Sequence, residues 1–247
     1  MNEKLVAPDS EASVCANRLL AGLAGPDRQR VLASCEAVDV QVGQVLMRPG
    51  FPTTHAWFPL AAIVALDVAS GGKAHSFEVG LVGPEGMVGI PLLLGSRESS
   101  LRATVVRQGA ALRIAAAPLR MQLRSSEAFR ERMQQYVLVT LTHLAQAALC
   151  TRYHRVEERL ARWLLMTRDR DPLGPVHATH EFLAAALGVR RAGITRAAAT
   201  LQRRQLIAYH RGVLTVLDRD GLQAAACGCY AADCASYADG MQWAALA

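Results

Sequence analysis

The residues with the most chemistry to offer are arginines. Arg190, Arg191 and Arg196 fall within seven positions, with Thr195 among them, Thr179 upstream and Arg211 downstream. A guanidinium presents a planar fork of donors that matches both a phosphate and the edge of guanine. Residues 151–220 carry 13 basic against 7 acidic side chains, an excess of +6. Residues 1–150 carry 14 against 12, and residues 221–247 carry none against 2. The positive excess therefore coincides with the arginine cluster, where phosphate neutralisation needs it.

Thiols are the second resource. Cys227, Cys229 and Cys234 form C-x-C-x4-C, and three thiolates can bind a metal or make a redox switch. The surrounding QAAACGCYAADCASY is alanine-rich and reads as helix, in which residues two apart face different ways. The favoured reading is of small buried cysteines, with no metal site and no cofactor. The seven histidines (55, 75, 143, 154, 177, 180 and 210) are scattered, without H-x-H or H-E-x-x-H. Neither G-x-S-x-G nor a phosphate-binding G-x-x-x-x-G-K-S/T occurs. A cupin-like metal enzyme would have only His55, His75 and Glu78 to work with, so the expectation is a binding protein and not an enzyme.

The arginines need elements to aim them. Residues 178–219 supply a short helix, a turn, a second helix and a hairpin. Thr179 is a good N-cap and Glu181 puts negative charge in the first turn. Phe182, Leu183, Ala186 and Leu187 make an apolar stripe, and Gly188 ends the helix where positive φ is cheapest. Val189 plugs the turn. The second helix begins at Arg190, burying Ile194, Ala197, Ala198 and Leu201 and leaving Arg190, Arg191 and Arg196 outside. Leu206 to Tyr209, the Arg211-Gly212 turn and Val213 to Leu217 form a wing. Many chains hold such a shape as a plain helical subdomain with a solvated basic face. The glycine position, the paired arginines and the hairpin favour a winged helix-turn-helix that reads double-stranded DNA.

The remaining chain must carry this unit. At 247 residues it has room for two cores. After a helical lead (Cys15 to Leu23, Pro26 to Ala33), short β-type runs recur at Ala37–Val42, Ala56–Pro59, Ile63–Val68, Ser76–Val82, Leu101–Arg107 and Ala110–Ile114. Glycine-rich turns separate them, which predicts a small barrel or sandwich, with GPEGMVGIPLLLG as a glycine-rich interruption. From Pro118 the period is helical. Met133, Val137, Thr140, Leu144 and Ala147 step by four and three as a heptad seam, and Leu138, Leu141, Ala145 and Ala148 form a second stripe beside it. Two apolar faces need two partners, one within the chain and one in a second copy, and the seam from Met133 to Ala147 is assigned to the homodimer. The alternative is a core helix buried in one subunit. A break falls at Tyr153–His154, and a further amphipathic helix runs from Val156 to Thr167. No run reaches membrane-span length, and the N-terminus lacks the apolar core of a signal peptide, so a cytoplasmic protein with reduced cysteines is expected.

The order of elements resembles the Crp/Fnr family of bacterial transcription regulators over roughly residues 20 to 220. The likeness is strongest in LVGPEGMVGIPLLLG and FLAAALGVRRAGITRAAATLQRRQLI. It implies an α+β chain: an N-terminal double-stranded β-roll (jelly-roll-like) with its helical lead over 1–118, a long dimerisation helix over 119–153, a C-terminal winged helix-turn-helix over 154–220 and a helical tail over 221–247. It implies DNA, a second copy and RNA polymerase as partners. Arg191 and Arg196 match the family's base- and phosphate-contacting arginines, while Ala192 stands where a cytosine-reading glutamate is frequent. The effector pocket it implies comprises Glu85, Gly86, Arg97, Ser99, Ser100 and Arg102. Ser99-Ser100 replaces the Arg-Ser or Arg-Thr pair that grips a cyclic phosphate, Arg97 and Arg102 are out of register, and Leu144 and Ala145 replace polar base contacts. A buried phosphodiester needs a cation, so cyclic AMP is not the expected ligand. A nucleotide, metal or thiol sensor of the same architecture is the alternative. No tight N-terminal cysteine cluster accompanies Cys15 and Cys35, so the family's iron–sulfur cluster is not expected.

Overall fold

The computed structural model describes residues 16–69, 76–172 and 174–241. Two compact units emerge, one from residues up to 65 with 82–134, the other from 66–81 with 135–247.

The first unit opens with α1 (Arg18–Ala21) and α2 (Gly25–Leu32). Six of the strands that follow in the chain are those the alternation marks: β1 (Glu36–Val40), β3 (His55–Pro59), β4 (Ile63–Ala69), β5 (Ser76–Val82), β6 (Leu101–Arg107) and β7 (Gly109–Ala115), of which β4 from residue 66 and β5 up to residue 81 belong to the second unit. The three-residue β2 (Val45–Met47) is an addition. The strands form two open sheets, ordered β1-β7-β3 and β2-β6-β4-β5. Antiparallel pairing sets Glu36 opposite Arg113, and their side chains meet at 2.7 Å. Ala111, Leu112 and Ile114 of β7 are buried, as are Phe58, Ile63, Met87 and Val105. Between β5 and β6 in the chain comes α3 (Ile90–Leu93), the helical patch of the glycine-rich stretch.

The expected long helix is two helices, α4 (Ala116–Ser125) and α5 (Glu127–Tyr153). Ser126 adopts extended angles, and its Oγ accepts the Phe129 amide at 3.1 Å. The serine thus caps a fresh helix start, with Glu127 in its first turn. Ser126 and Phe129 are both buried, which fixes the break.

The second unit continues α5 and adds α6 (Val156–Arg170), β8 (Val176–His177), α7 (His180–Ala186), α8 (Arg191–Arg203), β9 (Ile207–His210), β10 (Val213–Val216), α9 (Arg219–Ala225) and α10 (Cys229–Met241). Leu160, Leu164, Leu183, Ile194, Leu201, Leu214 and Leu222 are fully buried at its centre. The tail is structurally integral. Helix α10 lies on the α5 face made by Val139, His143, Gln146 and Cys150. A Cβ on Gly240 would come within 2.6 Å of Val139, so glycine permits that approach. Asp233 is buried and takes two hydrogen bonds from Arg162, at 2.8 and 2.6 Å, and Ser236 meets His143 Nε2 at 2.8 Å. Tyr230 donates to Asp169 and accepts from Arg219, clasping α10 to α6 and α9.

The residues assigned to the dimer seam differ in exposure within the single chain. Met133 and Ala147 are buried within the single chain, and Val137, Thr140 and Leu144 are half-buried. The open stripe is the neighbouring one, with Leu138 64% and Leu141 58% exposed, and Ala145 and Ala148 exposed beside them. A heptad count gives spacing but not which of two adjacent faces stays open. Among the described residues no helix is long and apolar enough to cross a membrane.

Candidate nucleic-acid interface

Thr179 Oγ1 accepts the Phe182 amide at 3.1 Å and so caps α7 as its sequence position predicts. Its hydroxyl proton and exposed position leave it able to donate outward. Gly188 takes φ +61°, and a Cβ there would also meet the Phe77 ring at 2.9 Å. Glycine is therefore needed twice over. Phe182 departs from its expected burial, since it is half-exposed and Ala184 is buried instead.

The helix α8 starts one residue later than expected, with Arg190 as N-cap. Ile194, Ala197, Ala198 and Leu201 are buried as the spacing predicts. Arg190, Arg191, Arg196 and Arg211 are all exposed, and among the described residues no carboxylate pairs with them. Their charge is free for an anionic partner. Thr195 is more committed: it donates to the Arg191 carbonyl at 3.1 Å and lies 3.0 Å from His180 Nδ1. The sequence reading missed His180. Its ring stacks on Tyr209 of β9 at 4.5 Å, tying the first helix of the motif to the wing. Burial, then the nearby Arg191 charge, lowers its pKa, so it is neutral at physiological pH. A histidine at the first position of a capped helix, 29 residues before the strand tyrosine it stacks on, fits no periodic pattern and gave no signal.

The wing is a three-stranded sheet of order β8-β10-β9. Its turn is Arg211-Gly212, with φ of +47° and +82°. Two positive φ values in succession give the twist that joins adjacent strands tightly. They also put the Arg211 side chain at the wing tip.

The residues of the expected effector pocket are placed differently from a phosphate cradle. Glu85 is 3% exposed and its Oε1 accepts the Gly83 amide at 3.0 Å. The Gly86 amide donates to Gly83 O, and its carbonyl accepts the buried Asn17 side chain at 2.9 Å. Arg97, Ser100 and Arg102 are exposed, and Ser99 Oγ closes a local turn with Leu101. Of the metal-enzyme candidates, His55 contacts Thr54, Glu78 accepts Trp163 Nε1 at 2.8 Å, and His75 lies outside the described residues.

The cysteines require a correction. The C-x-C segment is not helical throughout: Cys227 precedes α10, Gly228 turns, and Cys229 is its first residue. The two thiols therefore face the same way. They meet Cys150 and His154 at the end of α5, with Cys150 Sγ 3.6 Å from Cys227 Sγ and Cys229 Sγ 3.3 Å from His154 Nδ1. Cys234 stays apart. The hydrogen bond between Cys150 and Cys227 lowers the pKa of the first thiol and raises that of the second.

A second helix presenting unpaired arginines, preceded by a capped helix and a glycine turn and followed by a wing, defines a winged helix-turn-helix DNA-binding protein. Residues 158–225 match the Crp-like helix-turn-helix domain. A CRP/FNR-family transcriptional regulator from Thermus thermophilus is 25% identical, with TM-score 0.64 over 77% of this chain and 98% of that one. FixK2 from Bradyrhizobium japonicum shares the fold at 14% identity and TM-score 0.66, over 78% and 97% of the two chains. The c-di-GMP-responsive global regulator CLP of Xanthomonas campestris does so at 16% and 0.64, over 78% and 99%. No curated protein sequence matches the chain. Residues 158–225 thus carry a Crp-like helix-turn-helix domain, in a chain whose fold is shared with CRP/FNR-family transcriptional regulators.

Proposed function

We propose that the chain acts as a cytoplasmic homodimer that places two α8 helices in successive major grooves, with RNA polymerase as its partner at promoters. It works by binding, not by catalysis. The observation that carries this reading is the set of exposed, unpaired arginines on α8 and the wing. Arg191, in the first turn, reads a guanine. Arg190, Arg196, Arg211 and the Thr179 hydroxyl hold phosphates, and Thr195 positions His180 and the helix start. The second copy sits against Leu138, Leu141, Ala145 and Ala148, the stripe the chain itself leaves open. The two-residue break between Tyr153 and Val156 is the hinge whose two arrangements set the recognition helices in or out of register.

The β-roll serves this dimer without cyclic AMP. Glu85 and Gly86 are occupied by their own loop and by Asn17, and the nearest arginines point to solvent. The experiment is in vitro selection of the operator, followed by binding of Arg191→Ala at fixed salt. A cognate loss of about 1–3 kcal/mol with little change on scrambled DNA is expected. Equal weakening of both would reduce Arg191 to a phosphate contact.

A further inference from the structure

We propose that Cys150, His154, Cys227 and Cys229 bind a single tetrahedral divalent ion of the zinc class. The four donor atoms lie within 4.8 Å of one another. A regular site with zinc–ligand distances of about 2.3 Å to sulfur and 2.0 Å to nitrogen separates two sulfurs by about 3.8 Å and a sulfur from a nitrogen by about 3.5 Å. Two of the pair distances, 3.6 Å between Cys150 and Cys227 sulfurs and 3.3 Å between Cys229 sulfur and His154 Nδ1, are close to those of such a site.

Each ligand comes from an element that holds it. Cys150 lies in the last turn of α5 and His154 directly follows its end, its amide still donating to the Cys150 carbonyl at 3.2 Å, so the two share one face. Cys227 and Cys229 flank a glycine where the chain turns from α9 into α10. The three cysteines are buried at 2%, 6% and 2% exposure, while His154 is half-exposed. That closed arrangement is the Cys3His set of a structural site, and thiolate softness selects zinc over magnesium or calcium. Gln146 Nε2 donates to Cys229 Sγ at 2.8 Å, the outer support that orients a ligand. Three thiolates around a divalent ion leave one negative charge, and Arg159 and Arg162 line the same cavity as Cys150. A cluster of several irons with its sulfides has no room among donors this close, whereas one ion does.

Position gives the site its meaning. It joins the last turn of α5 and the first residue of the hinge at 154–155 to the tail beyond the wing. All four ligands fall outside the 158–225 stretch that defines the DNA-binding domain. Arg159 in turn donates to the Leu187 carbonyl, next to the helix-turn-helix glycine. On binding, the three thiols release their protons to solvent and the histidine binds neutral.

The test is anaerobic cobalt(II) titration of the reduced, chelator-stripped full chain, with zinc competition. One cobalt per chain, thiolate-to-cobalt charge-transfer bands and tetrahedral d–d bands, all displaced by zinc, are expected. Cys227→Ser and Cys229→Ser should each weaken cobalt binding at least tenfold, while Cys234→Ser leaves it unchanged. Should the serine variants fail to fold, zinc must still slow alkylation of Cys150, Cys227 and Cys229 in the wild type relative to the stripped protein, read by peptide mass spectrometry. Absence of charge-transfer bands at stoichiometric cobalt, equal alkylation with and without zinc, or a Cys150–Cys227 disulfide with no metal uptake after its reduction would overturn the site.

Discussion

Glu78 shows how a single side chain is set by what surrounds it. Its carboxyl is enclosed beside Trp163, and burial pushes its pKa up to about 8. The Trp163 N–H, Arg170 and Arg162 oppose that shift, and Asp67 adds to it. An unfolded glutamate ionises near 4.3. Between those values the folded chain holds a proton that the unfolded chain has lost. Stability must therefore fall as pH rises from about 5 to 8. The loss should be on the order of 2–4 kcal/mol, part of the full shift being relieved by residual solvent. Glu78→Gln, which stays neutral, should flatten the curve. Urea denaturation at several pH values measures it, and parallel curves for the two proteins would show that Glu78 is ionised in the folded state.

At the scale of elements, α5 carries two apolar stripes with different duties. Leu141 is exposed in the single chain, and Leu144 is half-buried. Leu141→Asp should give a folded monomer by light scattering, with little loss of subunit stability. Leu144→Asp should instead destabilise the subunit by about 2 kcal/mol or more, because it places an unpaired charge against packed side chains. A dimer of normal mass from Leu141→Asp would move the interface elsewhere. The same contrast shows what the sequence could reveal. Helices α7 and α8 and the wing turn were legible because caps, glycines and arginines act within a few residues. So were six strands, whose alternation is local. The break at Ser126 was also written locally, as a serine followed by glutamate, but a continuous helical period masked it. The heptad could not tell its two faces apart, since spacing alone does not say which one the rest of the chain covers. Cys227 and Cys229 looked divergent only under the assumption of unbroken helix. Their partners Cys150 and His154 are more than seventy residues away, beyond any local pattern.

Across the whole molecule, charge separates the phosphate-holding function from base reading. The excess of +6 sits within residues 151–220, yet much of that arginine is internally engaged: Arg162 with Asp233, Arg204 with Glu157, Arg219 with Asp169. Arg190, Arg191, Arg196 and Arg211 are exposed with no carboxylate partner among the described residues, and they are the four that the proposed reading places on DNA. In the proposed dimer these make about six to eight phosphate contacts, depending on whether Arg191 reads a base, and each released counterion steepens the salt dependence. The slope of log affinity against log salt should be about −5 to −7, a loss of roughly 10³ to 10⁴ between 50 and 200 mM. Arg211→Asn isolates the wing, because asparagine tolerates the left-handed φ of +47° that most residues resist. It should make the slope shallower by about 2 per dimer and weaken cognate and scrambled DNA alike. Arg191→Ala should do the reverse, sparing scrambled DNA and costing the cognate site. Filter binding or fluorescence anisotropy across a salt series reads both. An unchanged slope for Arg211→Asn would mean that the wing tip stays off the backbone, leaving α8 and the Thr179 cap to supply every phosphate contact.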